Sequence, residues 1–445
     1  MSIVSKNVKK MELRQLEGKK IALLGFGLDN QALLALLEKH KIKAEITICD
    51  ARPLSSLPAA KTIYSRINYR LGSSFNKNLN EFDILFRSPG WPIACPGITE
   101  ANKMGWTELS SPLNLFFSLC PSRNIIGVTG TKGKGTTASL IYKILKDAKK
   151  RVWLGGNIGI PPLSFLDKIK PNDYVVLELS SFQLEDLKYS PRFSVITNLF
   201  REHLAPADPN NPNFHPSYKA YWQAKLQITK NTNNKYLVIN ESLASKIKTA
   251  GLKCKIIYFS PSSLPSKLVG DFNRQNIAAA VAVAKLLKIK SESYKKTIAD
   301  FSNLEHRLEF VRELKGARYF DNSFSTTPES TELDLKSFST PIILIAGGSD
   351  KGADFRPLAK TIKKRVKLLI LLPGKATPRL KKIVEATGLS KNRIKAANDM
   401  EKAVEIAKTA SEPGDVVLLS TACASFGIFK NYKERGDLFK KYVRE

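Results

Sequence analysis

The stretch Asn124-Ile125-Ile126-Gly127-Val128-Thr129-Gly130-Thr131-Lys132-Gly133-Lys134-Gly135-Thr136-Thr137 joins a short apolar run to a glycine-rich turn, and Ala138–Leu145 continues with helical spacing. A strand that passes through such a turn straight into a helix is the building unit of parallel α/β sheets. The same turn constrains chemistry. Glycines let backbone N–H groups face an anion, the helix N-terminus adds its positive dipole end, Lys134 supplies a point charge, and a threonine hydroxyl is a magnesium ligand. A tight connection needs only the glycines. The lysine and hydroxyls beside them point to a nucleoside triphosphate cradled by Gly130, Thr131, Lys132, Gly133, Lys134, Gly135, Thr136 and Thr137. The spacing is a variant one, because Gly135 follows Lys134 and moves the hydroxyl to Thr136.

A chain of 445 residues exceeds one hydrophobic core, and about 150 residues per domain predicts three. Its five cysteines are widely spaced, which indicates neither a disulfide framework nor a zinc ribbon. The first residues lack an apolar signal core, and no apolar run reaches the roughly 18 residues that span a bilayer. The expectation is a cytoplasmic chain with no membrane insertion. A net charge of +31 raises nucleic acid as a partner. From Lys360 to Lys395, twelve Lys or Arg face the single acid Glu385, yet that stretch holds no aromatic residue on which bases stack. The basic surface is therefore read as drawing in anionic substrates, with no dedicated nucleic-acid site.

Three blocks alternate apolar strand-like runs with helical runs. The first opens with Ile21–Gly27, continues as a helix through Leu33–Leu37 and returns as Ile46–Cys49 to Asp50, like a Rossmann half with Asn30 in place of the third glycine. The second carries the phosphate loop, a strand Tyr174–Leu177 ending in Glu178, a strand Ser194–Asn198, a proline-rich loop Pro206–Pro216 and a helix with Tyr218, Trp222 and Leu226. The third starts after about Asn303 and holds strands Ile342–Ile345, Leu368–Leu371 and Val416–Leu419.

Of four histidines, His40 and His215 read as surface residues, whereas His203 follows a buried-looking strand and His306 precedes Arg307. With Glu178 at one strand end, His203 past the next and Lys225 on the following helix, a carboxylate, an imidazole and a lysine can converge near the triphosphate. Magnesium prefers oxygen ligands and sits against phosphates, which suits Glu178. A protonated lysine ligates nothing, but a carbamylated one is an anionic oxygen ligand.

The phosphate loop, Glu178-Leu179-Ser180-Ser181-Phe182-Gln183-Leu184-Glu185, and Ala224-Lys225-Leu226-Gln227-Ile228 together resemble the Mur ligases, from about Lys20 to the C-terminus and in family order. The resemblance implies an α/β fold with mostly parallel sheets in three domains. These are a Rossmann-like domain at 1–111 for a UDP-sugar, a central P-loop ATPase-type domain at 112–303 for ATP and two magnesium ions, and a Rossmann-like domain at 304–445 for the amino acid. It implies that Lys134 and Thr136 serve triphosphate and magnesium, that Glu178 and His203 hold a second magnesium, and that Lys225 is carbamylated. Asn276 matches an adenine-side position and Arg307 one that approaches the nucleotide. Asp50, Arg52, Ser88, Pro89, Gly90 and Asn157 match sites along the UDP-sugar. Thr326, Lys351 and Ser425 match amino-acid positions, and Tyr432 lies in the tail signature Phe429–Gly436. The implied substrates are UDP-N-acetylmuramoyl-L-alanine and D-glutamate, joined through an acyl phosphate in cytoplasmic peptidoglycan precursor synthesis by a monomer whose third domain closes onto the second.

Departures from the family pattern are Phe324 for a lysine, Lys132 for an asparagine, Phe272 for a histidine and Glu202 for an aspartate. The first removes a cation near the expected amino-acid site, and Lys132 is expected to restore positive charge at the phosphates. The order Gly135-Thr136 also resembles the folylpolyglutamate synthases, whose chemistry is the same and which form the alternative reading beside a ligase of the same family using a different amino acid, ahead of a basic RNA-associated protein without activity.

Overall fold

The computed structural model describes residues 11–58, 67–204, 213–230, 233–248, 250–350 and 352–445. Lys351 lies outside the described residues, as does most of the proline-rich loop. The apolar runs form three sheets. The first holds β1 (Lys20–Leu24), β2 (Glu45–Asp50), β3 (Asn68–Leu71), β4 (Ile84–Arg87) and β5 (Glu108–Ser110) in the order β3-β2-β1-β4-β5, all parallel. The second holds β6 (Asn124–Thr129), β7 (Val152–Gly156), β8 (Tyr174–Glu178), β9 (Phe193–Ile196), β10 (Tyr236–Asn240) and β11 (Lys255–Phe259) in the order β11-β10-β9-β6-β8-β7, again all parallel.

The third sheet holds β12 (Glu309–Leu314), β13 (Ala317–Asp321), β14 (Ile342–Ala346), β15 (Val366–Leu371), β16 (Ile394–Ala396) and β17 (Val416–Leu419), ordered β12-β13-β17-β14-β15-β16. Only the β12–β13 pair is antiparallel. Central strands such as β14 are buried along their whole length, the signature of a sheet covered on both faces. The fold is thus α/β with three mostly parallel sheets.

The first two sheets share one compact unit, which runs to Ser262 and takes in Gln275–Ile298, while the third forms a second unit with Ser263–Arg274. In the first unit one apolar core runs from Leu33 and Leu37 on the helix Leu28–Lys39, through Phe116 and Phe165, to Val175 and Leu177 of β8. Strand order reverses around β1 and around β6, and ligands of such sheets bind beyond the strand ends at those reversals. Among the described residues no helix is long and apolar enough to cross a membrane.

Candidate active site

At the end of β6 the chain must turn sharply, and Gly130 (φ 146°) and Gly133 (φ 79°) take backbone conformations that other residues rarely adopt. A Cβ at Gly130 would overlap the Thr197 hydroxyl, and one at Gly133 would overlap Asn276. The helix Lys134–Asp147 starts there, with Thr136 and Thr137 buried in its first turn. Asn276 Oδ1 accepts from Thr137 Oγ1 at 3.3 Å, so this asparagine packs directly on the loop.

Registers Val128↔Glu178 and Thr129↔Ile196 bring the ends of β6, β8 and β9 side by side. Glu178 is buried; its Oε1 accepts from Asn157 Nδ2 at 2.8 Å, and its Oε2 is buried with no hydrogen-bond partner. An orphaned carboxylate oxygen in that position fits a cation. Lys225 Nζ donates to Gly130 O at 2.7 Å, and Lys134 Nζ donates to the next carbonyl, Thr131 O, at 3.1 Å. Burial first, and then the Lys134 charge, hold the Lys225 amine well below the usual lysine range despite Glu202 and Glu178. A neutral amine is the form that attacks carbon dioxide. His203, in left-handed backbone (φ 60°), is pushed down to about 4 by burial, with Lys134 and Lys225 adding to the effect against Glu202. A neutral imidazole is the metal-binding form. The residue set therefore fits divalent cations.

Two departures in sequence turn out to be partners. Lys132 Nζ lies 2.7 Å from Glu202 Oε1, and although burial raises the Glu202 carboxyl, Lys132, His203 and Lys134 bring it down to about 2. Lys132, expected to restore positive charge at the phosphates, thus shares its charge with an adjacent carboxylate. The expectation for His215 is corrected: it is buried, stacked on Phe182 with ring centroids 4.8 Å apart, and bonded to Ser181 Oγ at 2.9 Å. His40 is exposed, as expected, and reaches Asp167 at 3.0 Å.

Along the first sheet, Asp50 is buried and accepts from Phe26 N at 2.8 Å and from Arg52 Nη2 at 2.7 Å. Asn30, standing where a third glycine was expected, donates to Gly25 O at 2.8 Å and Phe86 O at 3.1 Å, tying the β1 turn to β4. Ser88, Pro89 and Gly90 follow β4 and are half-buried, with Ser88 N donating to Leu24 O at 2.9 Å.

The remaining residues assemble within the second unit. His306 is buried with Nδ1 2.7 Å from Asp321 Oδ2, and the Arg307 guanidinium lies 3.7 Å over the ring of Phe324. Tyr432 meets that ring edge-on at 5.1 Å. Thr326 is half-buried and Ser425 buried. Arg435, to which the sequence reading gave no role, is buried and donates to Ser323 O at 2.7 Å and Cys423 O at 3.1 Å. It joins the two loops that carry Thr326 and Ser425. Its place in the tail stretch Phe429–Gly436 was the signal available in the sequence.

Residues 128–265 match the Mur ligase middle domain and residues 306–423 the Mur ligase glutamate ligase domain. The chain is 36% identical to a UDP-N-acetylmuramoylalanine–D-glutamate ligase of Acetivibrio thermocellus, covering 97% of each, and 35% identical to one of Clostridium kluyveri, covering 96% and 97%. Among solved structures, the MurF ligase of Thermotoga maritima in complex with ADP superposes with a TM-score of 0.58 at 16% identity over 97% of each chain. A bifunctional folylpolyglutamate synthase/dihydrofolate synthase of Yersinia pestis gives 0.53 at 16% identity, covering 74% of this chain and 91% of that one.

Proposed function

The chain belongs to the Mur ligase family, and from that membership we propose that it joins D-glutamate to the alanine carboxylate of UDP-N-acetylmuramoyl-L-alanine with hydrolysis of ATP to ADP and phosphate. The observation that carries the reading is the convergence of Lys134 and Lys225 on consecutive carbonyls of the phosphate loop, beside an orphaned Glu178 oxygen and a neutral His203.

A carboxylate oxygen of the acceptor attacks the γ-phosphorus and ADP departs, leaving an acyl phosphate. The amine of glutamate then adds to the acyl carbon, loses a proton, and expels inorganic phosphate from the tetrahedral intermediate. Lys134 offsets the negative charge on the transferring group. Thr136, Glu178, His203 and Lys225 would hold magnesium, which would supply charge neutralisation at the phosphates and polarisation of their oxygens. The Lys225 amine bonds to the carbon of carbon dioxide and gives up a proton, becoming an anionic oxygen donor. Asp50, Arg52, Ser88, Pro89, Gly90 and Asn157 serve the UDP-sugar. Thr326, Lys351, Ser425 and Tyr432 serve the amino acid, while Asn276 and Arg307 serve the nucleotide. The division at 111 and 303 separates three domains, and the chain works as a cytoplasmic monomer.

Phosphate release with ATP and each acceptor in turn tests this. Turnover with UDP-N-acetylmuramoyl-L-alanine and D-glutamate is the expected result. Turnover only with a folate would move the chain to the folylpolyglutamate synthases, and turnover with neither would remove the activity.

A further inference from the structure

His215 stands where two networks cross. On one side it touches rings. It is parallel to Phe182 at 4.8 Å, and Phe182 in turn meets His203 edge-on at 5.0 Å. Its ring centroid is 5.2 Å from that of Tyr221, whose face lies 4.4 Å from Lys225 Nζ and whose hydroxyl is 3.0 Å from Thr131 Oγ1. His203 and Lys225 therefore both rest on rings that His215 supports.

On the other side it touches charges. His215 Nδ1 lies 3.2 Å from Glu185 Oε1, whose other oxygen is 3.3 Å from Arg87 Nη1 and 3.4 Å from Asn213 Nδ2. Its Nε2 bonds with Ser181 Oγ at 2.9 Å, while Nδ1 faces the Glu185 carboxylate as a close polar contact. Arg87, the last residue of β4, is buried and also pairs with Asp186 at 2.8 Å. Asn213 Nδ2 donates to Pro89 O at 2.8 Å. The chain of contacts thus starts in the Ser88–Gly90 loop of the first sheet and ends at the wall of His203 and Lys225. Buried ion pairs are poor sources of net stability, and an apolar replacement of similar volume is often neutral or better. The network is better explained by the positions that it enforces.

Resting on the function proposed above, we infer that His215 is a positioning residue with two separable outputs: its ring sets the metal-binding wall, and its polar edge, through Glu185, Arg87 and Asn213, sets the acceptor loop. The two outputs can be cut apart. His215→Phe keeps a stacking ring and loses the Ser181 hydrogen bond and the Glu185 contact. His215→Asn loses the ring and keeps an amide N–H near the former Nδ1.

Two quantities are read on the full chain: the affinity for Mn2+ in the presence of ADP, by electron paramagnetic resonance without turnover, and the KM for UDP-N-acetylmuramoyl-L-alanine. His215→Phe raises the acceptor KM at least fivefold and leaves Mn2+ affinity within twofold. His215→Asn weakens Mn2+ binding at least fivefold and leaves the acceptor KM within twofold. Glu185→Gln, which keeps the shape of the side chain, reproduces the His215→Phe pattern and serves if either histidine variant fails to fold. Parallel shifts in both quantities, or none in either, overturn the inference. If the unaltered chain turns over no UDP-sugar acceptor, the proposed function fails instead, and the Mn2+ measurement still reads the ring.

Discussion

The Lys132–Glu202 pair gives a quantitative prediction about the phosphate loop. The two side chains are 22% and 16% exposed and 2.7 Å apart. At an effective dielectric constant of about 20 their attraction is about 6 kcal/mol, of which desolvation cancels most. The net lowering of the Glu202 carboxyl from 4.5 to about 2, with burial acting against its cationic neighbours, corresponds to about 3 kcal/mol. A coupling energy of about 1–3 kcal/mol is therefore expected from urea unfolding of Lys132→Met, Glu202→Gln and the double variant. Binding of ATP sharpens the test. Lys132→Met leaves a bare carboxylate beside the phosphates, and a penalty of about 1.4 kcal/mol or more weakens ATP at least tenfold. The double variant restores the local charge balance, so its ATP affinity should return to within about threefold of the original, which is about 0.7 kcal/mol. Isothermal titration with a non-hydrolysable ATP analogue measures this. A double variant as weak as Lys132→Met alone would mean that Lys132 acts on the phosphates directly, and the pairing argument would fail.

Lys225→Ala should abolish ligation and regain part of it with acetate, which supplies a carboxylate in the space vacated; full activity without acetate would take the carbamate out of the account. Phe324→Leu removes the ring under Arg307, an interaction of about 0.5–2 kcal/mol. The KM for ATP should rise several-fold and be recovered by Phe324→Tyr, whereas equal values for Leu and Tyr would leave the stacking without consequence. His203 and His215 are both held near 4, chiefly by burial. An imidazole lowered in the folded state contributes stability that is complete above its unfolded value of about 6.5 and is lost as pH falls through about 4, because the unfolded chain takes up the proton first. The Tm should fall across that window, and His215→Phe should flatten the slope; an unaltered slope would show that His215 does not titrate as its burial requires.

What the sequence made legible was local. The phosphate loop could be read because strand, glycines, lysine and helix are contiguous, and Glu178 and His203 because each sits at the end of an apolar run. The Lys132–Glu202 pair spans 70 positions, and nothing near either residue announces the other. His215 looked like a loop residue because its neighbours in the chain are Pro216 and Phe214, whereas its burial comes from Phe182, Glu185 and Tyr221. The β12–β13 hairpin escaped notice because Glu309–Leu314 carries three charged residues among six and lies at a sheet edge, where one-sided exposure blurs the apolar pattern. Phe324 was recognised as a departure, but only the fold shows that Arg307 lies across it.

The central claim is that the acceptor carboxylate itself takes the phosphoryl group beside Lys134 before an amine displaces it. Acceptor labelled with 18O in both oxygens of its alanine carboxylate, incubated with ATP and D-glutamate, decides this by mass spectrometry of the products. One label in the released phosphate and one in the new amide is the predicted result. Unlabelled phosphate accompanied by amide formation would contradict it.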